Sequence, residues 1–158
     1  MKADKVLTPG HKVPDFSAAS TSGTFSLSAH KGAALVLYFY PKDNTPGCTA
    51  ESRDFAQAHE RLRAAGARVV GVSRDSIASH ERFRAKFELP FELISDPDET
   101  LCNLFGVMKM KNMYGKAVRG IERSTFLIDA RGVLVREWRA VKVPGHVEEV
   151  LGAVQTIL

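Results

Sequence analysis

The sequence predicts an α/β domain: a central mixed β-sheet flanked by helices, with an N-terminal β extension. Three observations point there. Apolar runs of strand length alternate with segments whose apolar residues recur at three- and four-residue steps, the pattern of parallel strands joined by crossover helices. Two strand-like runs near the C-terminus flank a Gly-containing turn, which adds an antiparallel hairpin. The 158 residues are 44% hydrophobic and 25% charged, enough for the core of one domain, 1–158, with no repeat or linker.

The elements follow in order. Residues 11–32 read as short β segments. Ala33–Tyr40 is a continuous apolar run ending at Pro41, a central strand buried on both faces. From Thr49 to Gly66 the period is helical, with Phe55, Ala58, Leu62 and Ala65 inward and Gly66 as terminator. Ala67–Val72 reads as a second buried strand. Residues 76–88 read as a helix with Ile77, Phe83 and Phe87 inward, and Phe91–Ile94 as a short strand. Asp96 caps the next helix, with Pro97 in its first turn and Glu99 completing the start signal. That helix carries Leu101, Leu104, Phe105 and Met108 on one face. Residues 107–122 are polar and basic and read as a loop. Ser124–Asp129 and Val133–Arg139 form the hairpin around Ala130-Arg131-Gly132, and Val147, Val150, Leu151, Val154 and Leu158 mark a final amphipathic helix. A mixed sheet of this order, closed by a C-terminal helix, is the thioredoxin-like pattern.

The composition excludes several classes. Twenty-two basic and 18 acidic residues give a net charge of +4, too mild and too scattered for a nucleic-acid binder. Met1–Asp15 holds no apolar run, so no signal peptide is expected, and no run approaches the ~20 residues of a membrane span. Two cysteines, Cys48 and Cys102, are too few for a disulfide scaffold. A cytoplasmic setting with free thiols is the expectation. His11, His30, His59, His80 and His146 lack metal-ligand spacing, so neither metal nor cofactor is expected.

Chemistry concentrates at Cys48. It follows a buried strand and the turn Pro41–Gly47 and opens a helix, so its sulfur sits at the carboxyl end of a central strand and at a helix N-terminus, where a thiolate is favoured. That alone is insufficient. A free thiol of pKa ~8.5 is about 3% ionised at neutral pH, so full ionisation gains about thirtyfold. Nucleophilicity falls with pKa and removes about tenfold of that gain. Another group must hold the electrophile and stabilise departing charge.

Pro41-Lys-Asp-Asn-Thr45-Pro-Gly-Cys48 resembles the peroxiredoxin pattern of Pro, three residues, Thr, two residues, Cys, and Arg123 in Glu122–Asp129 resembles that family's second active-site Arg. Thr45-Pro-Gly-Cys-Thr, Gly71-Val-Ser-Arg-Asp75 and Lys111-Asn-Met-Tyr-Gly115 look like the bacterioferritin comigratory protein branch, or peroxiredoxin Q. The resemblance spans about residues 8 to 155. It implies an antioxidant thiol peroxidase acting on hydrogen peroxide and organic hydroperoxides. Cys48 would be the attacking thiolate and Thr45 would orient the peroxide. Arg123 would face the sulfur, and Pro41 would shield the pocket. It also implies thioredoxin, glutaredoxin or a small thiol as reductant, and a monomer.

The chain departs from the common pattern in its second thiol. Arg53 stands five residues after Cys48, and Phe83 and Arg84 stand where other relatives carry a resolving cysteine. Only Cys102 remains, on the flank of an apolar helix face. It is a core thiol, a resolving thiol reached by local unfolding, or an intermolecular bridge. The preferred reading is a one-cysteine mechanism with an external thiol. The alternatives are a redox sensor in which Cys48 signals to a partner, and a DNA-associated protein. Glu51, in the first turn of the helix, reads as a dipole contact.

Overall fold

The apolar run Ala34–Phe39 is buried at all six positions, and the fold is arranged on its two faces. The computed structural model describes residues 7–30 and 32–157. Met1–Val6, Lys31 and Leu158 lie outside them, as do the parts of the leader, N-terminal β and final-helix expectations that fall there.

The chain begins with the hairpin β1 (Ser17–Ser20) and β2 (Gly23–Ser26) and a short 3-10 helix, Leu27–His30. Then come β3 (Ala34–Phe39), α1 (Pro46–Ala64), β4 (Ala67–Ser73), α2 (Ile77–Phe87), β5 (Leu93–Ser95) and α3 (Thr100–Leu104). The second half holds β6 (Met108–Met113), β7 (Lys116–Ile121), β8 (Ser124–Ile128), β9 (Leu134–Trp138) and α4 (His146–Thr156). Seven strands form one sheet in the order β2-β1-β5-β4-β3-β8-β9, with β3, β4 and β5 parallel and β8 antiparallel to β3. The chain therefore has the mixed thioredoxin-like sheet that its sequence predicts.

Strand alternation divides the core. Val36 and Tyr38 point to the face covered by α1, α2 and α4, with Phe55, Leu62, Phe83, Val150 and Val154. Leu35, Leu37 and Phe39 point to the other face, with Leu101, Phe105, Val107 and Ile121. Each face buries a row of large side chains at ~1.5–3 kcal/mol apiece, which is why β3 reads as apolar throughout.

Several elements depart from the sequence reading. Residues 107–122 are not a loop: β6 and β7 pair antiparallel from Met108↔Ile121 to Met113↔Lys116 as a separate two-stranded sheet. Tyr114 and Gly115 both take positive φ, 54° and 80°, the two-residue turn whose twist suits a hairpin. The Met-Lys-Met-Lys alternation was the available signal, masked by its basic composition. The helix after Asp96 starts later and is shorter than the capping pattern suggests. Asp96 caps from a distance, its carboxylate accepting from the Leu101 and Cys102 N–H groups at 3.1 and 2.8 Å, while Pro97 lies in the preceding turn. Met108 consequently belongs to β6. In α2, Ile77 is only half-buried and the fully buried polar position is His80.

Gly71 lies in β4 beneath the Tyr38 ring. A Cβ there would come within 2.8 Å of Leu93 Cδ2 and 2.9 Å of Tyr38 Cζ. Gly71→Ala is expected to destabilise the fold by ~1–3 kcal/mol through overpacking, read as a lower urea midpoint at unchanged slope.

Candidate active site

The site forms where β3 ends and α1 begins. Pro46 occupies the first helical position, its missing N–H costing nothing there, and Cys48 lies in the first turn. Thr45 holds the N-cap position in extended backbone (φ −102°, ψ 156°), yet its side chain does not cap. Its hydroxyl donates to the Lys42 carbonyl at 2.8 Å instead. The first helical bond runs from the Thr49 N–H to the Thr45 carbonyl, 2.8 Å. The Gly47 and Cys48 N–H groups thus face the helix mouth without a cap from Thr45. Thr45 Oγ keeps its lone pairs for another donor.

Arg123 enters from the residues just before β8. Its Nη2 lies 3.4 Å from Cys48 Sγ and its Nη1 donates to Glu51 Oε1 at 2.7 Å. Gly47 eases this approach, because a Cβ there would stand 3.1 Å from Nη2 and press on the guanidinium. Cys48 and Glu51 are three residues apart and share one face of α1, so one guanidinium spans both. Glu51 is fully buried, and burial raises its pKa from 4.5 to about 7 against the opposing pull of Arg123. Its Oε2 has no hydrogen-bond partner. Burial works against the charge on Arg123, but Glu51 and then Cys48 more than offset it, and its pKa is raised.

A second network holds the loop between Pro41 and Thr45. Asp43 is buried there and accepts from Tyr40 Oη at 2.6 Å, from Ser79 Oγ at 2.8 Å and from His80 Nδ1 at 2.7 Å. The other ring nitrogen of His80, Nε2, lies 2.9 Å from the Ile94 carbonyl. The backbone N–H of Asp43 donates to Asp75, 2.8 Å. Asp43, Asp75 and His80 hold their ligand atoms within 4.8 Å of one another. These are the residues that could hold a metal, but Asp43 and His80 are already engaged by protein hydrogen bonds, and the group ties the loop to α2.

The structure brings Cys48, Thr45 and Arg123 to one end of the sheet, with Pro41 half-buried at the start of the loop. It does not bring Cys102 there. Cys102 packs with Leu35, Leu37 and Phe39 on the face opposite Cys48, so the sheet stands between the two thiols. Burial, then the Asp96 carboxylate, push its pKa well up. Reading Glu51 as a dipole contact missed its contact with Arg123, because Arg123 lies 72 residues away in sequence. Asp43 and His80, 37 residues apart, were missed for the same reason.

Residues 9–137 match the AhpC/TSA family. Peroxiredoxin Bcp of Xanthomonas campestris is 55% identical over 130 residues, covering 82% of this chain and 81% of that protein. The chain belongs to the peroxiredoxins of the AhpC/TSA family. Peroxiredoxin Bcp of Bacillus subtilis is 50% identical over 143 residues, 90% of this chain and 91% of its own. Among solved structures, Xanthomonas campestris peroxiredoxin Q superposes with a TM-score of 0.86 at 49% identity over 96% of each chain. The bacterioferritin comigratory protein of the same organism, solved as trapped intermediate and ligand complexes that bear on alkyl peroxide reduction, gives 0.87 at 48% identity over 94% of this chain and 98% of its own. The chain resembles this peroxiredoxin branch in sequence and fold alike. No helix among the described residues is long and apolar enough to cross a membrane.

Glu51 carries a pH prediction. Its folded pKa of about 7 lies above the ordinary 4.5, so the folded chain binds more protons there than the unfolded chain. Its stabilising contribution is complete below pH 4.5 and is lost as pH rises through about 7. The stability of the native chain relative to Glu51→Gln is expected to fall across that window by up to ~3 kcal/mol, followed by urea denaturation at a series of pH values.

Proposed function

We propose that this peroxiredoxin reduces hydrogen peroxide and organic hydroperoxides through a one-cysteine cycle at Cys48, as a single catalytic unit over residues 1–158, a cytoplasmic monomer with an antioxidant role. The observation that carries the reading is the 3.4 Å contact between Arg123 Nη2 and Cys48 Sγ at the open mouth of α1.

The Cys48 thiolate attacks one peroxide oxygen. An S–O bond forms and the O–O bond breaks; the departing oxygen takes a proton from solvent water and leaves as water or an alcohol, with Cys48 as sulfenic acid. Three local features favour this step. The Arg123 guanidinium offers a charged donor beside the sulfur, placed for the negative charge that develops on the departing oxygen. The helix-mouth N–H groups add donors of fixed direction. Thr45 Oγ, its hydrogen directed to the Lys42 carbonyl, can accept a hydrogen bond from the peroxide O–H and so select one orientation of the substrate. Pro41 walls the entrance.

The sulfenic acid needs a second thiol. A disulfide requires Cα atoms within about 7 Å, and the sheet lies between Cys48 and Cys102. An external thiol is therefore the resolving partner, with thioredoxin, glutaredoxin and small thiols as candidates, and Cys102 serves as a core residue.

Cys48→Ser is expected to abolish peroxide consumption with dithiothreitol as reductant, whereas Cys102→Ser leaves it within about twofold. Arg123→Ala should slow sulfenic acid formation by ~10²-fold in stopped-flow measurements. Mass spectrometry after one equivalent of peroxide should find one added oxygen on Cys48. Native-rate turnover by the Cys48→Ser variant would sink the reading.

A further inference from the structure

We infer that the β6–β7 hairpin is the docking surface for the resolving partner, an acidic protein that carries a surface dithiol. The inference rests on the proposed one-cysteine cycle at Cys48 and adds the surface on which its protein reductant docks.

Three observations converge on the hairpin. First, the large apolar side chains left exposed among the described residues all lie on it: Met110 at 64%, Tyr114 at 99% and Val118 at 41%. Tyr114 stands at the tip, in a left-handed turn that holds its ring away from the body of the protein. Second, residues 108–121 contain Lys109, Lys111, Lys116 and Arg119 and no acidic residue. Arg119 is engaged by Glu99 and Lys111 by the Ile121 carbonyl. Lys109 and Lys116 are exposed and make no ion pair among the described residues. Third, the hairpin is anchored at the site. β7 ends two residues before Arg123, and the Glu122 N–H closes its base on the Val107 carbonyl at 2.8 Å. Lys111 lies in reach of the same charges: its pKa is lowered by burial first and then by Arg123, with Cys48 acting in the opposite direction. In the one-cysteine cycle proposed above, the thiol that resolves Cys48 arrives from outside.

A small thiol has no surface to meet an exposed tyrosine and two unpaired lysines. A protein does. Apolar contact at Met110, Tyr114 and Val118 supplies the buried area, and the lysines select an acidic rim and steer its approach. The partner's thiolate attacks the Cys48 sulfenic sulfur; an S–S bond forms, the S–O bond breaks, and the hydroxide leaves as water with the thiol's proton. The partner's second thiol then attacks its own bridged sulfur, restoring the Cys48 thiol and leaving the partner as an intramolecular disulfide.

The test compares two reductants on the full chain: dithiothreitol, and a thioredoxin of acidic pI recycled by NADPH and its reductase. In Lys109→Glu/Lys116→Glu and, separately, Tyr114→Ala, kcat/KM for thioredoxin should fall about tenfold, through KM. Turnover with dithiothreitol and single-turnover sulfenic acid formation should stay unchanged. Raising salt should slow the native chain with thioredoxin but not with dithiothreitol. Unchanged kcat/KM for thioredoxin in both variants overturns the inference, as does an equal loss with dithiothreitol. A native dimer that dissociates in either variant overturns it in favour of a second copy as occupant. Turnover with dithiothreitol and none with thioredoxin overturns the docking inference while sparing the peroxidase reading. Absence of turnover with either removes that reading itself.

Discussion

One guanidinium, that of Arg123, holds together the charges on which the rest of the site depends. Burying a cation is costly unless it is paired, and Arg123 finds Glu51 on one side and the Cys48 sulfur on the other. Everything around it makes that position tenable. Gly47 leaves the space, the first two turns of α1 set Cys48 and Glu51 on one side, and the strand entry before β8 fixes where the arginine starts. The arrangement also explains why burial does not simply neutralise Glu51. Arg123 opposes desolvation, and the carboxyl settles at about 7, where modest pH changes alter its charge.

The sheet has a second role besides scaffolding, as a partition. Because successive residues of β3 point to opposite faces, the chain builds two apolar cores and places one cysteine in each. Cys48 lies at the edge of its core, at a helix mouth beside a cation. Cys102 lies at the centre of the other, with its backbone N–H tied to Asp96 and its thiol held protonated. Two residues of one type thus sit in opposite surroundings, one beside a guanidinium at a helix start and one in an apolar core beside a carboxylate.

The loop from Pro41 to Thr45 owes its shape to groups distant in sequence. Asp43 gathers Tyr40, Ser79 and His80, so the strand, the loop and α2 meet at one carboxylate. This fixes the backbone just ahead of Thr45 and frees its hydroxyl to turn toward Lys42. The hairpin beyond α3 stands outside both cores except at its base, which leaves its tip, Lys109 and Lys116 to solvent.

The alternation of strands and helices, the buried β3 and the placement of Cys48 at a helix start are legible in the sequence, because they follow from local period and turn chemistry. It also carried the Pro41, Thr45, Cys48 spacing and Arg123, from which the family could be recognised. It misjudged β6 and β7, whose alternation is short and rich in lysine, and the start of α3, where the capping Asp96 reaches across a turn. Tertiary structure alone decided that Glu51 meets Arg123, that Asp43 meets His80, and that Cys48 and Cys102 lie on opposite faces. These are contacts between residues far apart in the chain, or relations across the sheet, and no local pattern encodes them. They arise only when parallel strands bring the loop ends together at one edge and the pleat sends neighbouring side chains apart.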